Sequence, residues 1–198
     1  QLKAPESTTV SATTLNVENR KLATNYMAGI LGAPASTAPE FNAYRLAFAI
    51  LYDKLFEEVR TKRNLSYAPA ASLSGGFLPF AEIYVTTTKP KEAVNVMVDE
   101  IKRLRNGGFT ETDLKDAKSK LMTSYFMRNE STASNARAFG IAEIKGSWKS
   151  ETSLLDNINA VTLPEMQRTF AQYIDGIKWS YLGDETLADK EAFGRTAK

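Results

Sequence analysis

The sequence contains neither cysteine nor histidine. The first absence excludes disulfides, thiolate metal sites and a cysteine nucleophile, and it fits a reducing or an oxidising compartment equally well. The second removes the commonest metal ligand and the usual general base near neutral pH. A Ser-His-Asp triad or a histidine-based zinc site cannot be completed from this chain alone. Charge of one sign is also lacking in excess: 25 Lys and Arg face 23 Asp and Glu, a formal balance of +2. No like-charged run suggests a nucleic-acid or membrane arm, so neither partner is expected. No apolar run approaches the ~20 residues that cross a bilayer, and "QLKAPESTTV" lacks the layout of a signal peptide. A start at Gln1 instead of Met is expected for a processed or excised piece, which leaves cell envelope, periplasm and cytoplasm all open.

What is present suits a globular body. With 43% hydrophobic and 24% charged residues in 198, the chain can bury a core without crosslinks. One domain over 1–198 is expected, with 1–7 and 185–198 as candidate tails. Thr8 to Val17 and Ala23 to Leu31 read as strands. Pro39 suits a helix start, and Phe41, Tyr44, Phe48, Leu51 and Leu55 recur at helical steps, predicting a helix from Glu40 to about Lys62. "SYAPAASLS" and "FAEIYVTTT" flank Gly75 and Gly76 as a hairpin. Lys91 to Arg105 reads as a helix stopped by "NGG". Thr110 with Asp113 opens another to about Arg128, and Ser131 caps a third whose inner face would be Ala136, Gly140 and Ile144. A short helix near Thr152 to Ile158, a capped start at Thr162 to Glu165 and a strand Ile177 to Asp184 complete the order. The pattern predicts an α+β fold, a mostly antiparallel sheet with helices on one face.

Candidate chemistry is sparse. Glu57 and Glu58 are adjacent carboxylates, but neighbouring helix residues diverge by about 100°, so they do not converge as a catalytic pair. Arg60 and Tyr67 stand seven positions apart across a helix-to-strand junction, and each has an ordinary structural reading: an arginine complementing a helix dipole, a tyrosine opening a strand.

The stretch "LYDKLFEEVRTKRNLSYAPAAS" resembles the signature of the second domain in the pitrilysin or insulinase-like zinc metallopeptidases, roughly Leu-Phe-x-x-Val-Arg-x-x-x-x-Leu-x-Tyr, with Arg60 and Tyr67 on its arginine and tyrosine. "PKEAVNVMVDEIKRLRNGGFTETDLKDAKSKLMTSYF", "NINAVTLPEMQRTFAQYI" and "WSYLGDE" extend the resemblance over most of the chain. It implies half of a peptidase. A companion domain, in the same polypeptide or a separate subunit, would carry the inverted His-x-x-Glu-His zinc motif. This chain would hold no cofactor. Arg60 and Tyr67 would act in trans to the zinc, stabilising the substrate carbonyl as charge develops on it. One departure stands out: the family's Gly- and Ser-rich loop before Leu-Phe is replaced by an uninterrupted "AFAILYDKLF". The competing expectation is a family member kept as a structural or peptide-binding protein.

Overall fold

The computed structural model describes residues 6–74 and 76–198. Among the described residues five strands form one sheet: β1 (Thr14–Asn19), β2 (Asn25–Leu31), β3 (Ala70–Leu73), β4 (Ala81–Thr87) and β5 (Lys178–Gly183). Their order is β1-β5-β2-β4-β3. The β1 and β5 pair is parallel; β5 with β2, β2 with β4 and β4 with β3 are antiparallel. The late strand β5 therefore enters the middle of the sheet, between the two earliest strands.

Alternation along the strands decides which face is covered. Met27 and Leu31 of β2, Ile83 and Val85 of β4, and Trp179 and Tyr181 of β5 are buried. The intervening Tyr26, Glu82, Tyr84, Lys178 and Ser180 retain exposure on the opposite face. Gly29 sits in the covered row because nothing larger fits: a Cβ there would lie 2.8 Å from Ile177 and 2.9 Å from Trp179.

Among the described residues eight α-helices accompany the sheet, and the central ones cover its buried face. The first, α1 (Phe41–Leu55), carries the aliphatic and aromatic run that the sequence spacing identified, with Tyr44, Leu46, Phe48, Leu51 and Leu55 buried. It packs on β3 and on α2 (Pro90–Arg103), α3 (Glu111–Arg128) and α7 (Leu163–Tyr173). Aromatic edges lock that junction: Tyr44 lies 4.9 Å from Phe48 and 5.5 Å from Tyr173 between ring centroids. The Tyr44 hydroxyl donates to the Gly32 carbonyl at 2.6 Å. Helices α4 (Thr132–Lys145), α5 (Lys149–Thr152) and α6 (Leu154–Ala160) form a corner beyond α3, and α8 (Lys190–Gly194) closes the chain.

Local signals set the boundaries. Thr110 with Asp113 and Thr162 with Glu165 form reciprocal capping boxes, and the Ser131 hydroxyl accepts from the Ser134 amide. Gly107, at φ 95°, supplies the left-handed residue that stops the helix after α2. Pro39 does not open α1: the cap is Glu40, so the proline stands just outside.

The structure departs from the expected pattern in two places. Ala136, Gly140 and Ile144 do not form the inner face of α4: all three are exposed, Ile144 by 59%, and the buried residue is Ala142. The small residues instead face solvent because this corner projects from the body. The 185–198 stretch is not a loose tail: Phe193 and Ala197 have no exposed surface, and Phe193 stacks edge-on against Trp179 at 5.4 Å. Residues 1–5 of the other candidate tail and Gly75 of the hairpin turn lie outside the described residues.

Candidate functional site

Helix α1 does not end at Leu55. It continues without a break into a wider π-helical turn, Phe56–Thr61, in which the Lys62 amide bonds the Glu57 carbonyl five residues back at 2.9 Å. Widened turns of this kind shift the side chains that follow relative to an ideal helix, and they occur often at functional sites. Asn64, at φ 50°, then takes the left-handed conformation, and the Leu65 amide folds back onto the Val59 carbonyl at 2.8 Å. Asparagine tolerates that conformation better than most residues. Leu65 and Ser66 are buried by the reversal, and Tyr67 emerges on the surface with 79% of its area exposed.

This reversal brings Arg60 and Tyr67 together. The Arg60 guanidinium carbon lies 4.0 Å from the Tyr67 ring centroid and 4.7 Å from the Phe56 ring centroid. The cation is therefore flanked by two aromatic rings. Stacking of this kind uses the flat face of the guanidinium and leaves its N–H donors, which radiate in the plane, available to an acceptor.

The neighbouring carboxylates do not consume those donors. Lys62 bridges Glu57 at 2.9 Å and Glu58 at 2.6 Å, and Arg63 also pairs with Glu58. Hydrogen bonds from Lys62 and then Arg63 hold the Glu58 carboxyl below its usual range, and the Lys62 ammonium is held above its own chiefly by Glu58. The two glutamates thus serve as a solvated, cation-paired face of the turn, as their divergence on the helix implied. Arg60 is the cation of this segment that they leave to the aromatic rings.

Phe56 escaped the sequence reading as a site residue, although an aromatic four positions before an arginine on a helix is the spacing at which such a pair meets. Tyr52 extends the row, its ring 6.4 Å from that of Phe56. Nothing about metal changes the picture. Among the described residues no group of three or more His, Cys, Asp or Glu side chains could hold a metal ion. No helix among them is long and apolar enough to cross a membrane.

The sequence model of the Peptidase M16 inactive domain matches residues 2–121, from before β1 to within α3 and across both Arg60 and Tyr67. The chain belongs to that family. Solved structures agree on the fold of the M16 inactive domain. A conserved protein from Enterococcus faecalis V583 superposes with a TM-score of 0.77 at 18% identity, over 92% of this chain and 44% of that one. The peptidase M16 inactive domain from Pseudomonas fluorescens gives 0.77 at 15% identity, over 93% and 45%. An inactive peptidase domain from Bordetella parapertussis gives 0.69 at 21% identity, over 79% and 89%. The present chain thus spans less than half of the first two relatives. None of the curated proteins compared with it matches.

Proposed function

We propose that this M16 inactive domain is the substrate-holding half of a zinc metallopeptidase and that Arg60 and Tyr67 face a zinc site carried by a companion domain. The observation that carries the reading is the convergence of the two side chains, 4.0 Å between guanidinium carbon and ring centroid, at an exposed helix-to-strand reversal. Membership of a peptidase family supports the substrate class, a peptide.

Among the described residues no side-chain group fits zinc, and the metal belongs to the companion domain, where it would activate a water. What this chain contributes is a pair of directed donors. The in-plane N–H groups of Arg60 can take a backbone carbonyl at two points, while the rings of Phe56 and Tyr67 restrict the guanidinium to one plane. The Tyr67 hydroxyl, on an exposed ring, can donate to the oxyanion that develops as the carbonyl is attacked. Donors held in advance of the charge need little reorganisation, and removing one costs about 100-fold or more in turnover in comparable sites.

The experiment is turnover and thermal unfolding of Tyr67→Phe and Arg60→Lys in the protein that includes the companion domain. Tyr67→Phe keeps the ring over Arg60 and removes only the hydroxyl. A fall in kcat of about 100-fold with an unchanged Tm supports the reading. Near-normal kcat in both variants overturns it in favour of a structural or peptide-binding role.

A further inference from the structure

A second feature lies at the other end of α1. A cavity of about 680 Å³ opens between the start of α1 and the corner formed by the end of α3 with α4, α5 and α6. That volume falls in the range of small-molecule sites. Arg45 and Arg60 are fifteen positions apart along one continuous helix, which places the cavity roughly 20 Å from the candidate site.

The charge on its wall is one-sided. Arg45, Arg128, Arg137 and Lys145 line the cavity against a single carboxylate, Glu151. The whole chain carries a formal charge of only +2, so this is a local concentration and not a general basic surface. Arg128 and Arg137 are exposed and Arg45 is half-buried, with Arg128 and Glu151 as its charged neighbours, while Lys145 has a partner of its own. The arrangement works against its own stability. Burial lowers the Arg45 guanidinium from its usual range, repulsion from Arg128 adds to that, and Glu151 only partly opposes it. Lys145 is lowered by burial in the same way, again with Glu151 opposing.

Two residues of the wall also carry unpartnered polar atoms. Ser36 Oγ and Asn129 Nδ2 belong to residues lining the cavity, and both are buried without a hydrogen-bond partner among the described residues. Buried polar atoms are rarely left unpaired. Phe41 and Asn42, in the first turn of α1, bring the positive end of that helix to the same wall. Ile141 and Leu154 add apolar surface between the charges.

We propose that this cavity binds a small polyanion, a molecule with two or more carboxylate or phosphate groups gripped by Arg45, Arg128 and Arg137. Arginine forks match both oxyanions, so the two sources share one chemistry. The site is independent of the peptidase reading, because it involves neither Arg60 nor Tyr67.

Calorimetric titration of the 198-residue chain with citrate and, separately, with pyrophosphate tests it. Saturable one-site binding of either probe is expected, weakening with added salt, and the preferred probe tells carboxylate from phosphate. Arg45→Met and Arg137→Gln should each weaken binding on the order of tenfold. The Tm of Arg45→Met should be equal or higher, because a desolvated, repelled charge has been removed. Lys21→Gln, on an exposed lysine away from the cavity, should bind as the parent does. Absence of saturable binding by both probes, unchanged affinity in Arg45→Met and Arg137→Gln, or equal weakening in Lys21→Gln would each overturn the proposal.

Discussion

Arg60 shows how much a single residue depends on its immediate support. Its guanidinium is held between Phe56 and Tyr67 and not by a carboxylate, since Glu57 and Glu58 are paired with Lys62 and Arg63. Phe56→Leu should therefore loosen the plane of the guanidinium without changing any charge. If Arg60 serves catalysis, kcat of the protein with its companion domain should fall, while Tm drops only by the equivalent of about 1 kcal/mol, the scale of one exposed cation–aromatic contact. Parallel turnover and melting measurements separate the two effects. Tyr44 offers a contrasting case, purely architectural. Its hydroxyl satisfies the Gly32 carbonyl in a buried junction, so Tyr44→Phe should destabilise the fold by about 1–3 kcal/mol in chemical denaturation, by leaving that carbonyl unpaired.

At the scale of elements, the helix starts are encoded locally and their strengths differ. Thr110 and Asp113 exchange bonds of 3.0 and 3.1 Å, whereas Thr162 and Glu165 exchange bonds of 3.5 and 3.4 Å. Asp113 also bridges Lys54 on α1 at 2.8 Å, tying α3 to the central helix. Thr110→Ala should cost about 1 kcal/mol, and Thr162→Ala less, in urea unfolding. Burial raises the Asp113 carboxyl, but bonds from Lys54 and Thr110 outweigh it and hold it below the usual range. A carboxyl depressed in the folded state gives stability that is complete above its unfolded value, near 4, and is lost as pH falls through the folded value. Acid titration of Tm should show that loss, and Asp113→Asn should reduce it.

The whole molecule has its own pH signature on the alkaline side. Burial pushes Tyr44, Tyr84, Tyr173 and Tyr181 above the usual phenol range, and Tyr173 adds to the shift of Tyr44. The unfolded chain releases these protons near pH 10, before the folded one does. Stability should thus be intact below about pH 10 and decline as pH rises toward the folded values. Tyrosinate absorbance followed beside Tm checks this, and a flat profile above pH 10 contradicts it. Crosslinks play no part in holding the domain, which has no cysteine.

Legibility followed the range of the interactions. Capping boxes, the α1 stripe, the hairpin strands and the Gly107 stop are decided by residues within a few positions of each other, and the sequence alone determined them. The family was legible for the same reason, since its Arg and Tyr are seven residues apart in one continuous motif. The sequence could not show that β5 would enter between β1 and β2, because strand order is chosen by pairing between distant parts of the chain, such as Ile30 with Lys178 and Thr14 with Lys178. Nor could it show that the α4 corner would leave Ile144 exposed, or that 185–198 would bury Phe193 against Trp179: burial depends on what the rest of the chain places opposite each face. The cationic cavity belongs to the same class. Arg45, Arg128, Arg137 and Lys145 are scattered over three helices, and tertiary packing alone sets their charges around one volume.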